Sequence, residues 1–272
     1  LYYDSVGFET GTNSGKSYYQ TKLTGKKAIQ AANHCVTLIG WDDSYSKNNF
    51  NAGSRPSSNG AWLIANSYGS DYNDNGYFWV SYEEPSLSDI YTMAAESTAN
   101  YENIYQYDGN GWSNGTAFPS SDITGANVFT SGSSFEETLN AVSFYTMTDN
   151  QKYTVKIYKN LTGDTPDTGT LASSCTVSGT ADYSGYHTVK LPTSCTLSPG
   201  SKFAVTITYK YDSSSGHEAY IPYEGESESY DGVLYSYGSK QGQSFIYAND
   251  DKTWYDCTTI DNRVMNNLPI KA

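Results

Sequence analysis

Two side chains early in the chain are of types that can hold and transfer a proton. His34 precedes an apolar run that ends at Gly40 and Trp41, and Asn66 follows the strand-like residues 61–65. A neutral imidazole accepts a proton near neutral pH, and an amide oxygen can accept a hydrogen bond from the second ring nitrogen. An adjacent His–Asn pair could therefore serve as an oriented general base and acid.

Either residue taken alone has a simpler structural explanation. A lone His at the end of a strand is more commonly a packed residue, and Asn66 could be an ordinary turn residue. Both, however, lie in long and specific contexts. The first context reads Asn33-His34-Cys35-Val36-Thr37-Leu38-Ile39-Gly40-Trp41. The second reads Gly60-Ala61-Trp62-Leu63-Ile64-Ala65-Asn66-Ser67-Tyr68-Gly69 and continues to Asn75-Gly76-Tyr77-Phe78.

The two segments resemble the His and Asn motifs of the papain-like cysteine peptidases. In that family Asn or Asp precedes the His, and a small residue and an apolar strand follow it. The Asn motif reads Asn-Ser-Trp-Gly, with Asn-Gly-Tyr nine residues after the Asn, where this chain has Asn75-Gly76-Tyr77. Tyr68 replaces the usual Trp, and another aromatic ring should preserve the cover over the pair. The resemblance spans about residues 33–82 and implies that His34 is the base and acid and that Asn66 orients its ring.

The resemblance also implies which neighbours line the substrate pocket, namely Asn33, Cys35 and Tyr68. Cys35 takes the small-residue position near the pocket for the substrate side chain. Because adjacent side chains of a strand point to opposite faces, Cys35 is not expected to act as the nucleophile for His34.

The nucleophile that this chemistry needs does not precede His34. In the family a Cys lies roughly 130 residues before the His, with a Gln just upstream of it, whereas the 33 residues before His34 contain no Cys. Cys175, Cys195 and Cys257 lie far downstream without a nucleophile-like context. We therefore expect a Cys-bearing N-terminal half as partner, and this chain alone to be inactive. A nicked two-chain enzyme, a piece of a longer protein and a degenerate member without the chemistry remain alternatives.

The elements that position these residues are predicted to be strands. Apolar and polar residues alternate with period two over 153–158, 187–191 and 203–211, and turn residues bound each run. Strands at this spacing without helices between them predict an antiparallel sandwich or jelly roll. The expected fold is mainly β, with short helical turns near 26–32 and 135–139. We expect the β-rich C-terminal half of a papain-like domain over 1–98 and a β-sandwich over 99–272.

The β-sandwich resembles the lectin-like domain that follows the peptidase domain in bacterial surface members of the family. Those members also have a long insertion between the His and Asn motifs, as this chain has over residues 42–59. The resemblance implies an extracellular or cell-surface hydrolase that acts on proteins or peptides and that is targeted to a glycan. Sugars bind aromatic faces flanked by carboxylates and amides. Candidate residues are Asp108, Asn110, Trp112, Trp254 and Tyr255, although in a Tyr-rich chain such aromatics also pack sheet faces.

The sequence leaves open a calcium site and one disulfide. No cofactor is expected, although Asp108, Asn110 and Asp231 could bind calcium without completing a recognised loop of ligands. None of the four cysteines forms a CxxC pair, so a structural zinc site is not expected. Cys175 and Cys195 could form a disulfide or remain as buried thiols.

Composition restricts the class of partner. The 272 residues include 16 Lys and Arg and 29 Asp and Glu, which gives a net charge of −13. Such an acidic chain is a poor ligand for nucleic acid or for an anionic membrane surface, and no apolar run approaches the roughly 20 residues of a membrane span. The 27 Tyr and 24 Gly in a chain with 17% charged residues are typical of β-rich extracellular proteins. The alternative function is a non-catalytic carbohydrate-binding or adhesin-type surface protein with a vestigial peptidase scaffold.

Overall fold

The chain folds into two compact units, Leu1–Glu96 and Ser97–Ala272. The structure, a computed structural model, describes residues 1–8, 15–118, 121–214, 216, 218–225, 227–228, 234–235, 238–249, 252–260 and 267–272. Strands dominate both units, which confirms the mainly β fold class. Within these ranges, no helix is both long and apolar enough to cross a bilayer.

The first unit is a four-stranded sheet with one short helix. The strand order is β1-β4-β3-β2, with β1 parallel to β4 and the other pairs antiparallel. The helix α1 overlaps the turn predicted over 26–32. The bounds are β1 Ser17–Tyr18, α1 Gly25–Gln30, β2 Thr37–Asp42, β3 Ala61–Ala65 and β4 Tyr77–Ser81, with 3-10 turns at Ser5–Gly7, Lys47–Asn49 and Ala52–Ser54.

Aromatic rings form the core of the first unit. Tyr18 and Phe78 are fully buried, and Tyr18 packs edge to face against both Phe8 and Phe78. Ile64 of β3 and Val80 of β4 complete the cluster. Large rings bury much apolar area for each residue, so a small sheet can still gain a core. This core supports the ends of β3 and β4 that carry the Asn motif.

One carboxylate holds the insertion between β2 and β3 against the strand end. Glu83 accepts hydrogen bonds from the backbone N–H and the hydroxyl of both Ser57 and Ser58, at 2.5–2.8 Å. These hydrogen bonds, with the Ser58 hydroxyl contributing most, lower the pKa of Glu83 from 4.5 to about 2. The charged form of Glu83 is therefore the one that anchors the loop.

We expect Glu83→Gln to lower the free energy of unfolding by about 1 kcal/mol at pH 7, since an amide oxygen is a weaker acceptor than an exposed carboxylate. A pKa lowered in the folded state stabilises above pH 4.5, and this contribution is lost as the pH falls through about 2. Urea unfolding of both proteins between pH 7 and pH 2 measures the difference. A difference in the free energy of unfolding that stays constant between pH 7 and pH 2 would contradict the role of the Glu83 charge.

The second unit is a sandwich of antiparallel strands. Its main sheet has the order β10-β8-β12-β6-β16-β17, with β9 paired to β8, and three further pairs are β7–β11, β5–β13 and β14–β15. The bounds are β5 Asn114–Phe118, β6 Ile123–Thr130, β7 Glu137–Thr146, β8 Gln151–Lys159, β9 Thr170–Leu171, β10 Val177–Ala181, β11 Gly185–Leu197, β12 Lys202–Tyr209, β13 Ala219–Tyr223, β14 Ser227–Glu228, β15 Leu234–Tyr235, β16 Ser244–Ala248 and β17 Thr253–Asp256, with 3-10 turns at Ser173–Cys175 and Cys257–Thr259.

The strand β12 lies at the centre of the main sheet and shows how the layers pack. Its predicted inner face packs against Val142 and Phe144 of β7, across the sandwich. The opposite face is also buried at Ala204, which packs against Val128 and Phe245. The inner residues of β12 are Phe203, Val205, Ile207 and Tyr209, all at most 1% exposed.

The helical turn predicted over 135–139 is wrong. Glu137 begins β7, and Leu139 pairs with Cys195 of β11. Leu139, Ala141 and Phe144 are buried while their neighbours Thr138 and Asn140 are exposed. A helical turn would not complete the second layer of the sandwich, whereas a long strand does so by burying alternate residues.

The cysteines of the second unit are thiols. Cys175 and Cys195 are both buried and unoxidised, and their side chains interact with each other. Burial, followed by the hydrogen bond with Cys175, raises the pKa of Cys195 to about 12. Of the two alternatives left open by the sequence, the structure contains buried thiols.

Candidate active site

The pairing of β2 with β3 brings His34 and Asn66 together. Thr37 at the start of β2 is the register partner of Ala65 at the end of β3. In an antiparallel pair the residues before one strand therefore lie beside those after the other. His34 Nε2 is 2.9 Å from Asn66 Oδ1, and both side chains are half-buried.

Two tyrosine rings hold the imidazole of His34. The ring of Tyr68 lies 5.0 Å from the His34 ring between centroids, and the ring of Tyr3 lies 4.8 Å from it. Tyr68 and Tyr3 also touch each other edge to face, at 5.8 Å. Tyr68, predicted to line the substrate pocket and to cover the pair, packs on the ring of His34 and remains 46% exposed. Such packing restricts rotation of the imidazole.

Asn33 binds the N-terminal segment. Its Oδ1 accepts a hydrogen bond from the Tyr3 backbone N–H at 2.8 Å, and its Nδ2 donates to the Tyr3 carbonyl at 3.3 Å. The backbone N–H groups of Asn33 and His34 both donate to the Leu1 carbonyl at 3.1 Å. Both ends of the Asn33 amide therefore bond to the backbone of Tyr3. Asn33, predicted to line the substrate pocket, holds the segment that carries Tyr3.

A second network holds the amide of Asn66. Asn66 Nδ2 donates to Asn73 Oδ1 at 3.0 Å, and Asn73 Nδ2 donates to the Gly15 carbonyl at 2.7 Å. The Ser67 backbone N–H donates to Asn66 Oδ1 at 2.9 Å. The oxygen that faces His34 is therefore also bonded to a backbone donor, and the nitrogen of the same amide is bonded on the other side.

Cys35 lines a small cleft beside this pair, and its place in a substrate pocket stays a prediction. Its side chain is exposed. The cleft has a volume of about 220 Å³, and its other lining residues are Val36, Thr37, Ala65, Asn66 and Ser67.

Sequence reasoning missed Tyr3 and Asn73. Tyr3 lies outside both motifs and reaches His34 only through the fold. Asn73 lies in the Gly- and Asn-rich turn after Asn66, where the sequence indicated a turn and nothing more. The positive φ of 54° at Asn73 explains the turn, whereas the hydrogen bonds of its side chain had no signal in the sequence.

Strand β2 carries apolar side chains that its own sheet leaves exposed. It is the edge strand of the described sheet, and a register shift places Ile39 as an extra residue between Leu38 and Gly40. Ile39 is 50% exposed and Trp41 is 66% exposed, and Leu38 is also exposed. Adjacent apolar residues on an open edge are unusual for a free surface and are typical of one that another segment covers.

The first group of sugar candidates lies near a buried ion pair. Asp108 is buried and pairs with Lys271 at 2.8 Å. We therefore correct the prediction for Asp108, because its carboxylate is not accessible to a sugar from solvent. The backbone N–H of the exposed Asn110 donates to buried Glu224 at 2.7 Å, and half-buried Trp112 packs 6.1 Å from Tyr145.

The second group lies on the edge strand β17. Trp254 is half-buried against Tyr247, with its indole N–H buried and unpaired, whereas Tyr255 is 41% exposed. The calcium hypothesis stays a prediction: Asp108 pairs with an ammonium group, and Asp231 lies outside the described residues. Among the described residues, no three His, Cys, Asp or Glu side chains are grouped for a metal ion.

The geometry around His34 is that of an oriented proton acceptor and donor. The hydrogen bond at Nε2 leaves Nδ1 as the ring nitrogen available to a second group. The neutral amide of Asn66 fixes the ring without supplying a charge. With a nucleophile beside Nδ1, this pair would provide the base and acid of an acyl transfer.

The class of protein follows from sequence families that match the two units. The chain belongs to the lectin-like domain family over residues 104–272, and residues 5–98 match the papain family of cysteine proteases. The protein thus combines a papain-like peptidase segment with a lectin-like domain.

Two solved structures of one particular protein are similar to this chain. The clostridial cysteine protease Cwp84 after propeptide cleavage is 29% identical, with a TM-score of 0.76 over 99% of this chain and 63% of that one. The cysteine protease and lectin-like domains of Cwp84, a surface layer associated protein of Clostridium difficile, are 28% identical, with a TM-score of 0.71 over 99% and 56%. The chain therefore spans less than two thirds of these structures. No curated protein sequence matches it.

Proposed function

We propose that this chain supplies the His–Asn part of the active site of a papain-like cysteine endopeptidase, together with a lectin-like domain that targets the enzyme. The observation that carries this proposal is the 2.9 Å hydrogen bond from His34 Nε2 to Asn66 Oδ1 at the end of paired strands. The two tyrosine rings and the second amide network hold that bond in one geometry.

In the proposed reaction, a cysteine from the absent N-terminal half or from a second chain supplies the nucleophile. Nδ1 of His34 takes the thiol proton, and the thiolate attacks the peptide carbonyl. The imidazolium then returns the proton to the leaving amine, and water hydrolyses the resulting thioester. Asn66 keeps the ring aligned throughout. The exposed apolar residues of β2 support an adjoining segment, which we take to be the Cys-bearing half.

The proposed location is the cell surface of a bacterium. Cwp84 is described as a surface layer associated protein, and this chain has a papain-like segment followed by a lectin-like domain. The acidic, Tyr-rich composition fits that location.

Active-site labelling tests the peptidase proposal. We expect a peptidyl epoxide, which alkylates activated thiols, to label one Cys in the parent protein and none in the present chain, with intact-mass analysis as the readout. The reading frame upstream of Leu1 should encode that Cys with a Gln a few residues before it. Ser, Ala or Gly at that position would contradict the proposal and favour a vestigial scaffold.

A carbohydrate-binding surface protein is the second candidate, and the lectin-like family membership of residues 104–272 favours it. Tyr255 offers an exposed ring on an edge strand. A glycan array probed with the whole chain and with Tyr255→Ala tests the targeting role. Binding that Tyr255→Ala abolishes would support a sugar contact at β17, whereas no binding to any glycan would count against targeting by glycans.

A further inference from the structure

Hydrogen bonds connect His34, through the side-chain amides of Asn66 and Asn73, to the Gly15 carbonyl. These bonds fix the orientation of both amides. The carbonyl of Gly15 can only accept, so Asn73 must turn Nδ2 toward it, at 2.7 Å. Oδ1 of Asn73 then faces Asn66 and can only accept from Nδ2 of that residue, at 3.0 Å. The remaining end of the Asn66 amide, Oδ1, faces His34 at 2.9 Å. The orientation of Asn73 follows from the Gly15 carbonyl, and that of Asn66 follows from Asn73 together with the Ser67 backbone N–H.

The orientation of the Asn66 amide decides which nitrogen of His34 carries the proton. Because Asn66 presents an oxygen, Nε2 must donate, and the neutral ring keeps its lone pair on Nδ1. A flipped Asn66 amide would present its NH₂ group to Nε2 and move the ring proton to Nδ1. That tautomer could no longer accept a proton from a nucleophile at Nδ1.

Asn66 is held at both ends of its amide. The Ser67 backbone N–H donates to Oδ1 at 2.9 Å, and Asn73 accepts from Nδ2. The hydroxyl of Tyr3 lies near both amides, and burial raises the pKa of Tyr3. The Ser67 N–H would still hold Asn66 Oδ1 after the side chain of Asn73 is removed. Removal of Asn73 should therefore loosen the orientation of the Asn66 amide only in part.

The residue at position 73 must fit both a backbone conformation and a pair of hydrogen bonds, and Asn fits both. Its φ of 54° lies in the left-handed region, which Asn and Gly tolerate better than most residues. Its side chain must also accept on one side and donate on the other. Gly would satisfy the backbone without the hydrogen bonds, and Asp would satisfy the backbone and the acceptor without the donor.

We propose that Asn73 is a positioning residue, which sets the amide orientation of Asn66 and through it the tautomer of His34. The orientation of the Asn66 amide and the tautomer of His34 are properties of this chain. Their effect on catalysis rests on the proposed function. The two can therefore be tested separately.

Nitrogen-15 NMR of the imidazole rings tests the orientation in the present chain, which has three histidines. We expect the neutral ring of His34, assigned by His34→Gln, to carry its proton on Nε2. Asn73→Gly should give a mixture of tautomers, and Asn73→Asp, which keeps the acceptor for Asn66 Nδ2, should retain the Nε2–H form. The matched control is Asn75→Gly, because Asn75 is exposed, has a φ of 53° and lies in the same turn.

Kinetics of the parent protein test the catalytic meaning. We expect Asn73→Gly to lower kcat about tenfold with little change in KM, because the ring is misplaced while substrate contacts remain. Asn75→Gly should keep both constants. An unchanged His34 tautomer in Asn73→Gly, or equal effects of the two Gly variants, would overturn the proposal. A tautomer change in a parent without any activity would support the positioning role and reject the peptidase function.

Discussion

His34→Ala is expected to lower kcat/KM of the parent peptidase about 10³-fold, the largest effect of any single substitution in this chain. The imidazole would act twice in one turnover, first as the base for the thiol and then as the acid for the leaving amine. Its ring nitrogen Nε2 hydrogen-bonds to the neutral Asn66, at 2.9 Å. No neighbouring side chain with a suitable proton affinity lies in the described network to replace it.

Hydrolysis of a fluorogenic peptide by the parent protein measures this loss. His34→Gln should be equally impaired, since an amide of similar shape cannot take up the proton. His187→Gln is the matched control, because His187 lies in the second unit, where it hydrogen-bonds to Thr146. Residual activity within tenfold of the unmodified enzyme in His34→Ala would reject the assignment of His34 as base.

Part of the second unit could be predicted because apolar and polar residues alternate along several of its strands. Along β12 the side chains at 203, 205 and 207 are apolar, and the structure buries all three against the opposite layer. The sequence could not show that Ala204 is buried as well, because that depends on Val128 and Phe245 from other strands. The prediction of a helical turn over residues 135–139 was wrong for a related reason. A short apolar and acidic stretch is compatible with a helix, and its pairing with β11 decides the outcome.

The candidate site was predictable only where local sequence determines the geometry. His34 and Asn66 are marked by extended motifs, and the antiparallel pairing of β2 with β3 then brings them together. Tyr3 contacts His34 from the far end of the segment, and Asn73 hydrogen-bonds to Asn66 through a side chain within the following turn. An aromatic near the start of the chain or an Asn in a turn carries no sign of such a contact. The buried state of Asp108 was likewise hidden, because its partner Lys271 lies far along the chain.

The three apolar side chains on β2 give the second large prediction. We expect Ile39→Asp to lower activity of the parent more than 100-fold while leaving the melting temperature of the present chain within about 2 °C, since exposed substitutions rarely change stability. Ile39 is 50% exposed here. If the Cys-bearing half covers β2, the new carboxylate would be buried without a partner. Such a charge costs about 3–5 kcal/mol, enough to reduce the assembled site more than 100-fold.

Ile39→Asp therefore distinguishes a β2 surface that the Cys-bearing half covers from one that faces solvent. Thermal melts of the present chain and peptide hydrolysis by the parent are the two measurements. Ile90→Asp is the matched control, because Ile90 is a more exposed isoleucine of the same unit outside its sheet, and it should keep full activity. A parent enzyme that tolerates Ile39→Asp would show that β2 faces solvent.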